Sequence, residues 1–161
     1  ESFAEDYTVQ GGSVKKGEPV SPRDVVASVL GVRQRAGYEA QAAMGLARAG
    51  GCTPRTGAVL LAVQRTLYTL MAEVAAAGQA GSPFAGAMAA AHVEELEGWL
   101  AEFGQAVEMP KEFVVPGDSS PGAALHLART VVRRAERRAA RLAADGLLEN
   151  EQLVRYLNRL S

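Results

Sequence analysis

Apolar residues recur every three or four positions over most of this chain, the spacing that places them on one face of an α-helix. Clusters of Gly, Pro, Asp and Ser separate these amphipathic stretches and mark the turns between them. The pattern predicts four long helices over about 21–49, 54–77, 83–107 and 121–145, and a short fifth helix that begins near 150. Short connections favour antiparallel neighbours, so we predict an all-α, antiparallel helical bundle of ferritin-like appearance.

Polar caps and apolar stripes define the individual helices. A residue that can accept a hydrogen bond from a backbone N–H precedes each helix, namely Ser21, Thr53, Ser82, Ser120 and Asn150. The stripe predicted for the third helix consists of Val93, Leu96, Leu100, Phe103 and Val107. Trp99 falls off this stripe, so we expect it to be exposed in a monomer or packed between subunits. His92 flanks the stripe, and we expect a hydrogen-bonded structural histidine, since no second His or Cys stands at metal-ligand spacing.

The fourth predicted helix is rich in alanine and carries six arginines. On a helical wheel, its core face consists of Leu125, Ala128, Val132, Ala135, Ala139 and Leu142. Three arginines lie opposite and should face solvent, namely Arg134, Arg138 and Arg141. A shoulder between the two faces carries His126, Arg129, Arg133 and Glu136. Two guanidiniums one turn apart, with a carboxylate in reach, can grip a phosphate, although a solvated arginine face with ordinary ion pairs is the commoner arrangement.

Composition narrows the class of protein. A length of 161 residues fits one domain, which we divide into an irregular head over 1–20 and a helical bundle over 21–161. The net charge of −1 gives no general attraction to nucleic acid or anionic membrane, and no uninterrupted apolar run approaches the ~20 residues of a spanning helix. Cys52 is the single cysteine, which excludes an internal disulfide framework and fits a reducing, cytoplasmic compartment.

The head contains a Gly-Gly pair at 11–12, followed closely by Lys15 and Lys16. A glycine-rich turn beside lysines can present amide N–H groups and ammonium charge to phosphates. A flexible basic tail is the commoner explanation of such a segment. The residues by themselves leave both readings open.

Three motifs in the C-terminal third stand in a specific order and spacing. They are FVVPGD from Phe113, LHLARTVVRRAER from Leu125, and YLNRLS from Tyr156. They resemble Phe-x-x-Pro-Gly-Gly, Leu-His-x-x-Arg-x-x-x-Arg-Arg-x-Glu-Arg and Tyr/Phe-Leu-Asn-Arg-Leu-Ser-Asp of the ATP:cob(I)alamin adenosyltransferases of the propanediol-utilisation type. In the head, GGSVKK resembles part of that family's phosphate loop, whereas the preceding FAEDYTVQ does not match it.

The resemblance implies an enzyme that transfers the 5′-deoxyadenosyl group of ATP to the cobalt of cob(I)alamin, releasing triphosphate. Arg129 and Arg133 would contact the polyphosphate, with help from Lys15 or Lys16 and from Mg²⁺. Glu136 would orient an arginine or contact the nucleotide.

The resemblance also implies binding residues and an assembly. Asn158 matches a position near the nucleotide, and Phe113 matches the Phe that crowds the lower face of the corrin. Tyr38 stands where the family has an Asp that pairs with the arginine matching Arg129, so Glu39 is a candidate replacement partner. Members of the family are trimers with sites between subunits, so we expect a homotrimer that binds ATP and a corrinoid.

Two other functions remain open from the sequence. Tyr38 and the incomplete phosphate loop are compatible with a degenerate relative that binds corrinoid or nucleotide without turnover. An unrelated helical interaction protein or nucleic-acid binder could use the arginine face, but the near-neutral net charge and the interspersed Glu136 argue against it.

Overall fold

The computed structural model describes the backbone of residues 22–77, 81–108 and 110–161, and the side chains of these ranges from residue 36 onward. The described residues form five helices, namely α1 (Pro22–Ala49), α2 (Pro54–Ala76), α3 (Ala90–Ala106), α4 (Ser120–Ala144) and α5 (Glu151–Leu160). The predicted all-α helical bundle is confirmed. Lys15, Lys16 and the expected cap Ser21 lie outside the described residues, and the division into a head and a bundle stays a prediction.

Among the described helices, side-chain caps begin α2, α4 and α5, and the cap of α5 is the predicted Asn150. Thr53 Oγ1 accepts a hydrogen bond from Thr56 N at 3.2 Å at the start of α2, as the sequence predicts. At the start of α4 the cap is Ser119 rather than Ser120, because Ser119 has an extended backbone and accepts from the N–H of Gly122 at 3.2 Å. The predicted C-terminal turn of α4 is confirmed, since Gly146 adopts φ 71° there.

The start of α3 differs from the prediction. The helix begins at Ala90 and not at Pro83, because turns occupy residues 81–88. Gly86 has a φ of 72°, which favours glycine and is incompatible with a continuing helix. The backbone N–H groups of Gly86 and Met88 donate hydrogen bonds to the buried carboxylate of Glu73, with N–O distances of 3.1 and 2.6 Å.

Contacts between α1 and its neighbours show that the long helices run antiparallel. Arg48 near the end of α1 donates to Gln64 Oε1 at 3.0 Å, whereas Gln41, earlier in α1, contacts Met71, later in α2. The same reversal holds for α4, which begins beside Gly50 at the end of α1. Both α2 and α4 therefore pack antiparallel to α1.

The short helix α5 packs between α4 and α3. Asn158 reaches Glu136, so α5 runs antiparallel to α4. Asn150 at its start lies beside Met88, and Arg159 near its end lies beside Glu97, so α5 runs parallel to α3. This orientation brings the C-terminal end of α5 to the middle of α4.

The predicted core faces of α2 and α4 are buried. In α2 the buried stripe consists of Leu60, Val63, Leu67, Leu70 and Val74, and in α4 it includes Ala128, Val132, Ala139 and Leu142. Small residues on α1 allow close approach of its neighbours, and a Cβ at Gly37 would lie 2.4 Å from Met71 Sδ. Tyr156 of α5 is fully buried, and its hydroxyl meets no hydrogen-bond partner among the described residues.

The exposed and buried sides of α3 differ in part from the prediction. Trp99 is half-buried and packs against the core, whereas Leu100 of the predicted stripe is exposed. The helix presents Leu96, Trp99 and Phe103 to the bundle, which is an i, i+3, i+7 face. The prediction for His92 is confirmed, since its Nδ1 is hydrogen-bonded to the Ala89 N–H at 3.0 Å.

Among the described helices, α2 is long and apolar enough to cross a membrane by composition. Half of its most apolar window is buried inside the bundle, as is usual for the core helix of a folded domain.

Candidate functional site

An open groove of about 510 Å³ lies along the N-terminal half of α4. Its lining consists of Pro116, Ala123, His126, Leu127, Arg129, Thr130, Arg133 and Ser161. Three members of the shoulder predicted on α4 line this α4 groove, namely His126, Arg129 and Arg133, because spacings of three and four residues share a helix face. The loop before α4 adds Pro116, and the residue after α5 adds Ser161.

A buried carboxylate holds one of the groove arginines. Glu136 is 9% exposed, and its Oε2 accepts a hydrogen bond from Arg133 Nη1 at 2.9 Å. Its Oε1 accepts from Asn158 Nδ2 at 3.2 Å, so both carboxylate oxygens have donors. A buried charge is stable only with such partners. The pair leaves most of the Arg133 guanidinium, which has five N–H donors, free for a ligand.

The second groove arginine is held by the end of α5. Arg129 Nε donates to the backbone carbonyl of Ser161 at 2.8 Å. Ser161 Oγ donates to the Asn158 carbonyl at 3.1 Å and lies 3.5 Å from Arg133 Nη1. Both arginines line one groove, and the described residues that line it include no carboxylate side chain. This arrangement suits an anionic ligand with several oxygens, such as a polyphosphate.

The partner predicted for Arg129 is wrong. Glu39 forms an ion pair with Arg134, because residues 39 and 134 face each other across the antiparallel α1–α4 contact. Arg134 is exposed, as the helical wheel predicts. Tyr38 is also exposed and is not among the residues that line the α4 groove.

The loop that precedes α4 carries the aromatic side chain of the first motif. Phe113 is 91% exposed, and it does not line the α4 groove, although Pro116 three residues later does. Val114 and Val115 are exposed as well, and Gly117 has a φ of 147°. The structure therefore places Phe113 on the loop that enters the groove, with its ring exposed.

Five groove residues lie outside the predicted site residues and the predicted shoulder of α4, namely Pro116, Ala123, Leu127, Thr130 and Ser161. Thr130 lies one turn after His126, so the helical wheel places it on the same face and could have indicated it. Its hydroxyl donates to the Leu127 carbonyl at 2.8 Å. Leu127 is an exposed apolar residue on a basic helix. Ser161 belongs to the third motif, but its contact with Arg129 depends on the packing of α5 and has no local signal.

The described residues offer no group of three or more His, Cys, Asp or Glu side chains that could hold a metal ion. Glu136, which pairs with Arg133 of the groove, is already engaged by Arg133 and Asn158.

The fold and the site together define the class of this protein, which is a helical bundle with a cationic groove. The sequence profile of the cobalamin adenosyltransferase family matches residues 13–161, and the chain belongs to this family. These matches confirm the family that the three motifs resemble, including its propanediol-utilisation type.

Several curated relatives are similar over part of their length. The cobalamin adenosyltransferase of Cupriavidus metallidurans is 40% identical over 104 residues, which cover 65% of this chain and 53% of that protein. The corrinoid adenosyltransferase PduO of Salmonella typhimurium is 32% identical over 123 residues, 76% of this chain and 36% of that protein. The corrinoid adenosyltransferase of Mycobacterium tuberculosis is 45% identical over 76 residues, which cover 46% of this chain and 39% of that protein. The matches thus cover between 36% and 53% of these relatives.

Proposed function

We propose that this protein transfers the 5′-deoxyadenosyl group of ATP to the cobalt of cob(I)alamin, giving adenosylcobalamin and triphosphate. Family membership supports adenosyl transfer to a corrinoid. The observation that carries the choice of ATP is the α4 groove, in which Arg133 is fixed by the buried Glu136 while its guanidinium remains open to a ligand.

The proposed chemistry is a displacement at the 5′-carbon of ATP. The cobalt–carbon bond forms as the bond from C5′ to the triphosphate oxygen breaks, and the electron pair leaves with triphosphate. Cobalt is the nucleophile, so the protein contributes position and charge rather than a Ser or Cys nucleophile. Negative charge grows on the leaving group, and Arg129 and Arg133 would stabilise it there.

Glu136 and Asn158 would prepare the groove for this step. Glu136 restricts Arg133 to one geometry before ATP binds, so less rotational entropy is lost on binding. Asn158 donates to Glu136 from the end of α5 and would face the nucleotide. We propose Arg129, Arg133 and Glu136 as the catalytic group and Asn158 as a nucleotide contact.

Further binding roles follow from the family's motifs. We propose that Lys15 and Lys16 add positive charge at the triphosphate, and that Phe113 packs against the lower face of the corrin. The exposure of Phe113 supports this role, since a ring that excludes the lower cobalt ligand would make reduction to cob(I) easier. Glu39 is engaged by Arg134 in this chain, so we propose that it stabilises the helix beside the groove rather than contacting ATP.

The expected partners and assembly remain proposals. Mg²⁺ would arrive bound to the phosphates, and none of the steps above depends on a protein-bound metal. We propose a homotrimer with sites between subunits, and the exposed Tyr38, Leu46 and Tyr68 supply apolar area for such contacts. We expect a cytoplasmic protein without a nucleic-acid or membrane partner, in line with its single cysteine and near-neutral charge.

An anaerobic assay with MgATP and chemically reduced cob(I)alamin tests this function. A light-sensitive alkylcobalamin spectrum should appear with the unaltered protein and should be lost in Arg133→Ala. Arg141→Ala is the matched control, because Arg141 is exposed in the last turn of α4, about 12 Å along the helix from Arg133. A base-off corrinoid spectrum without product would instead indicate a binding protein without turnover.

A further inference from the structure

A second buried carboxylate lies outside the α4 groove. Glu73 of α2 is 6% exposed, and three donors from distant parts of the chain surround it. Its Oε1 accepts from Gly86 N at 3.1 Å and from Asn150 Nδ2 at 2.8 Å. Its Oε2 accepts from Met88 N at 2.6 Å. Such a set of donors is strong because the acceptor is charged and shielded from water.

Asn150 connects this cluster to α5. Its amide nitrogen donates to Glu73 and also to the Met88 carbonyl at 2.8 Å. Its amide oxygen accepts from Gln152 N at 3.0 Å, so the same side chain is the N-cap of α5. The first turn of α5 is therefore tied to α2 and to the loop before α3 by one carboxylate.

The other end of α5 reaches the α4 groove. The ten residues of α5 span about 15 Å as a rigid helix. Asn158, in its last turn, donates to Glu136, and Ser161 just beyond it accepts from Arg129. A shift of the α5 N-terminus would therefore move Ser161, which contacts both groove arginines, and Asn158, which shares the Glu136 carboxylate with Arg133.

We propose that Glu73 is a positioning residue for the α4 groove, which it controls by fixing α5 through Asn150. This inference rests on the proposed function for its ligand, a polyphosphate held by Arg129 and Arg133. Glu73 itself touches no groove residue; its effect travels through the placement of Asn158 and Ser161.

The substitution Glu73→Gln tests this role with little change in shape. A glutamine retains one acceptor oxygen and presents an NH₂ group where the carboxylate had its second oxygen, so it faces at least one of the three N–H donors with another donor. Asn150→Ser is the second variant, because serine keeps an N-cap oxygen for α5 and lacks the amide that donates to Glu73. Glu149→Gln, at an exposed position next to Asn150, makes the same chemical change outside the cluster.

The first readout is the affinity for inorganic tripolyphosphate, measured by calorimetry on the full chain. Both Glu73→Gln and Asn150→Ser should weaken binding roughly three- to tenfold, as expected when a preorganised site loosens, and Glu149→Gln should not. In an Asn158→Ala background, part of the Glu73→Gln effect should disappear, because the two changes break the same connection to Glu136, while the contact of Ser161 with Arg129 remains. Equal effects in both backgrounds would show that Glu73 does not act through Asn158, and would overturn the proposal.

The second readout needs no ligand. Amide hydrogen exchange over 153–161 should be faster in Glu73→Gln and Asn150→Ser than in Glu149→Gln, while the central turns of α4 keep their protection. Unchanged exchange in α5 would also overturn the proposal. If the unaltered protein binds no tripolyphosphate but α5 loosens as expected, the proposed function fails and the control of α5 by Glu73 stands.

Discussion

Replacement of Glu136 by Gln tests the contribution of the buried negative charge that holds Arg133 in the groove. The glutamine keeps the size of the side chain, and its oxygen can still accept from Asn158 Nδ2. It removes the negative charge and the acceptor that holds Arg133 Nη1 at 2.9 Å. Arg133 then has a wider range of rotamers in the free protein, and the groove loses its preorganisation.

The size of the effect follows from the exposure of the two partners. A hydrogen bond to a charged group contributes about 1.5–3 kcal/mol when shielded, but the Arg133 side chain is 56% exposed. We therefore expect a loss of only about 1 kcal/mol in the free energy of unfolding, which lowers Tm by about 2–4 °C for a chain of this size. Turnover should suffer more, because positioning of charge at a leaving group contributes tenfold or greater rate effects, about 1.4–3 kcal/mol in the barrier.

The assay compares initial rates of adenosylcobalamin formation under anaerobic conditions with thermal unfolding followed by circular dichroism. Glu94→Gln is the matched control, since Glu94 is exposed on α3 away from the groove. We expect kcat to fall about ten- to a hundredfold in Glu136→Gln while the fold is retained. Wild-type kcat and KM in that variant would refute the view that Glu136 prepares Arg133 for catalysis.

Two further predictions concern α5. Burial raises the pKa of Tyr156 to about 12 from an ordinary value of 10.0, and Glu95 adds to the shift. The unfolded chain therefore loses this proton first, so the Tyr156 contribution to stability should be constant below about pH 10 and fall by roughly 1.4 kcal/mol per pH unit up to about pH 12. In Tyr156→Phe, denaturant titrations should lack this part of the decline, and an identical alkaline profile would contradict it. Leu153→Ala should lower the free energy of unfolding by about 2–5 kcal/mol, because Leu153 is 1% exposed, whereas Leu100→Ala at an exposed position of α3 should cost less than about 0.5 kcal/mol; similar losses in both would show that α5 is not part of the core.

The parts of the fold that depend on local periodicity could be predicted. The wheel for α4 separated Ala128, Val132 and Ala139 from the exposed Arg134, and the structure agrees. The same wheel grouped His126 with the groove arginines. These features depend on the 3.6-residue repeat of the helix, which can be recognised from the order of residues alone.

The misplaced start of α3 has a long-range cause. Ser82 and Pro83 are good helix-start residues, yet the chain continues through turns to Ala90. Glu73 accepts hydrogen bonds from donors that lie 13, 15 and 77 residues away along the chain. A local pattern has no means of showing that such a carboxylate is buried, so both the later helix start and the role of Glu73 were missed.

The pairing of Glu39 shows the same limit at the site. The position of Glu39 beside Tyr38 in the motif predicts it as a partner for Arg129. The antiparallel packing of α1 and α4 instead brings Glu39 to Arg134, and the packing of α5 gives Arg129 the Ser161 carbonyl. Which arginine meets which acceptor depends on the relative placement of three helices.

The measurement that tests adenosyl transfer most directly is the stoichiometry of both products in one anaerobic reaction. Adenosylcobalamin would be quantified by its light-sensitive spectrum, and triphosphate by ion chromatography. We predict equal amounts of the two, with both absent in Arg133→Ala and both present in Arg141→Ala. Release of diphosphate or phosphate in place of triphosphate, or adenosylcobalamin formation that is unaffected by Arg133→Ala, would contradict displacement of triphosphate in the α4 groove.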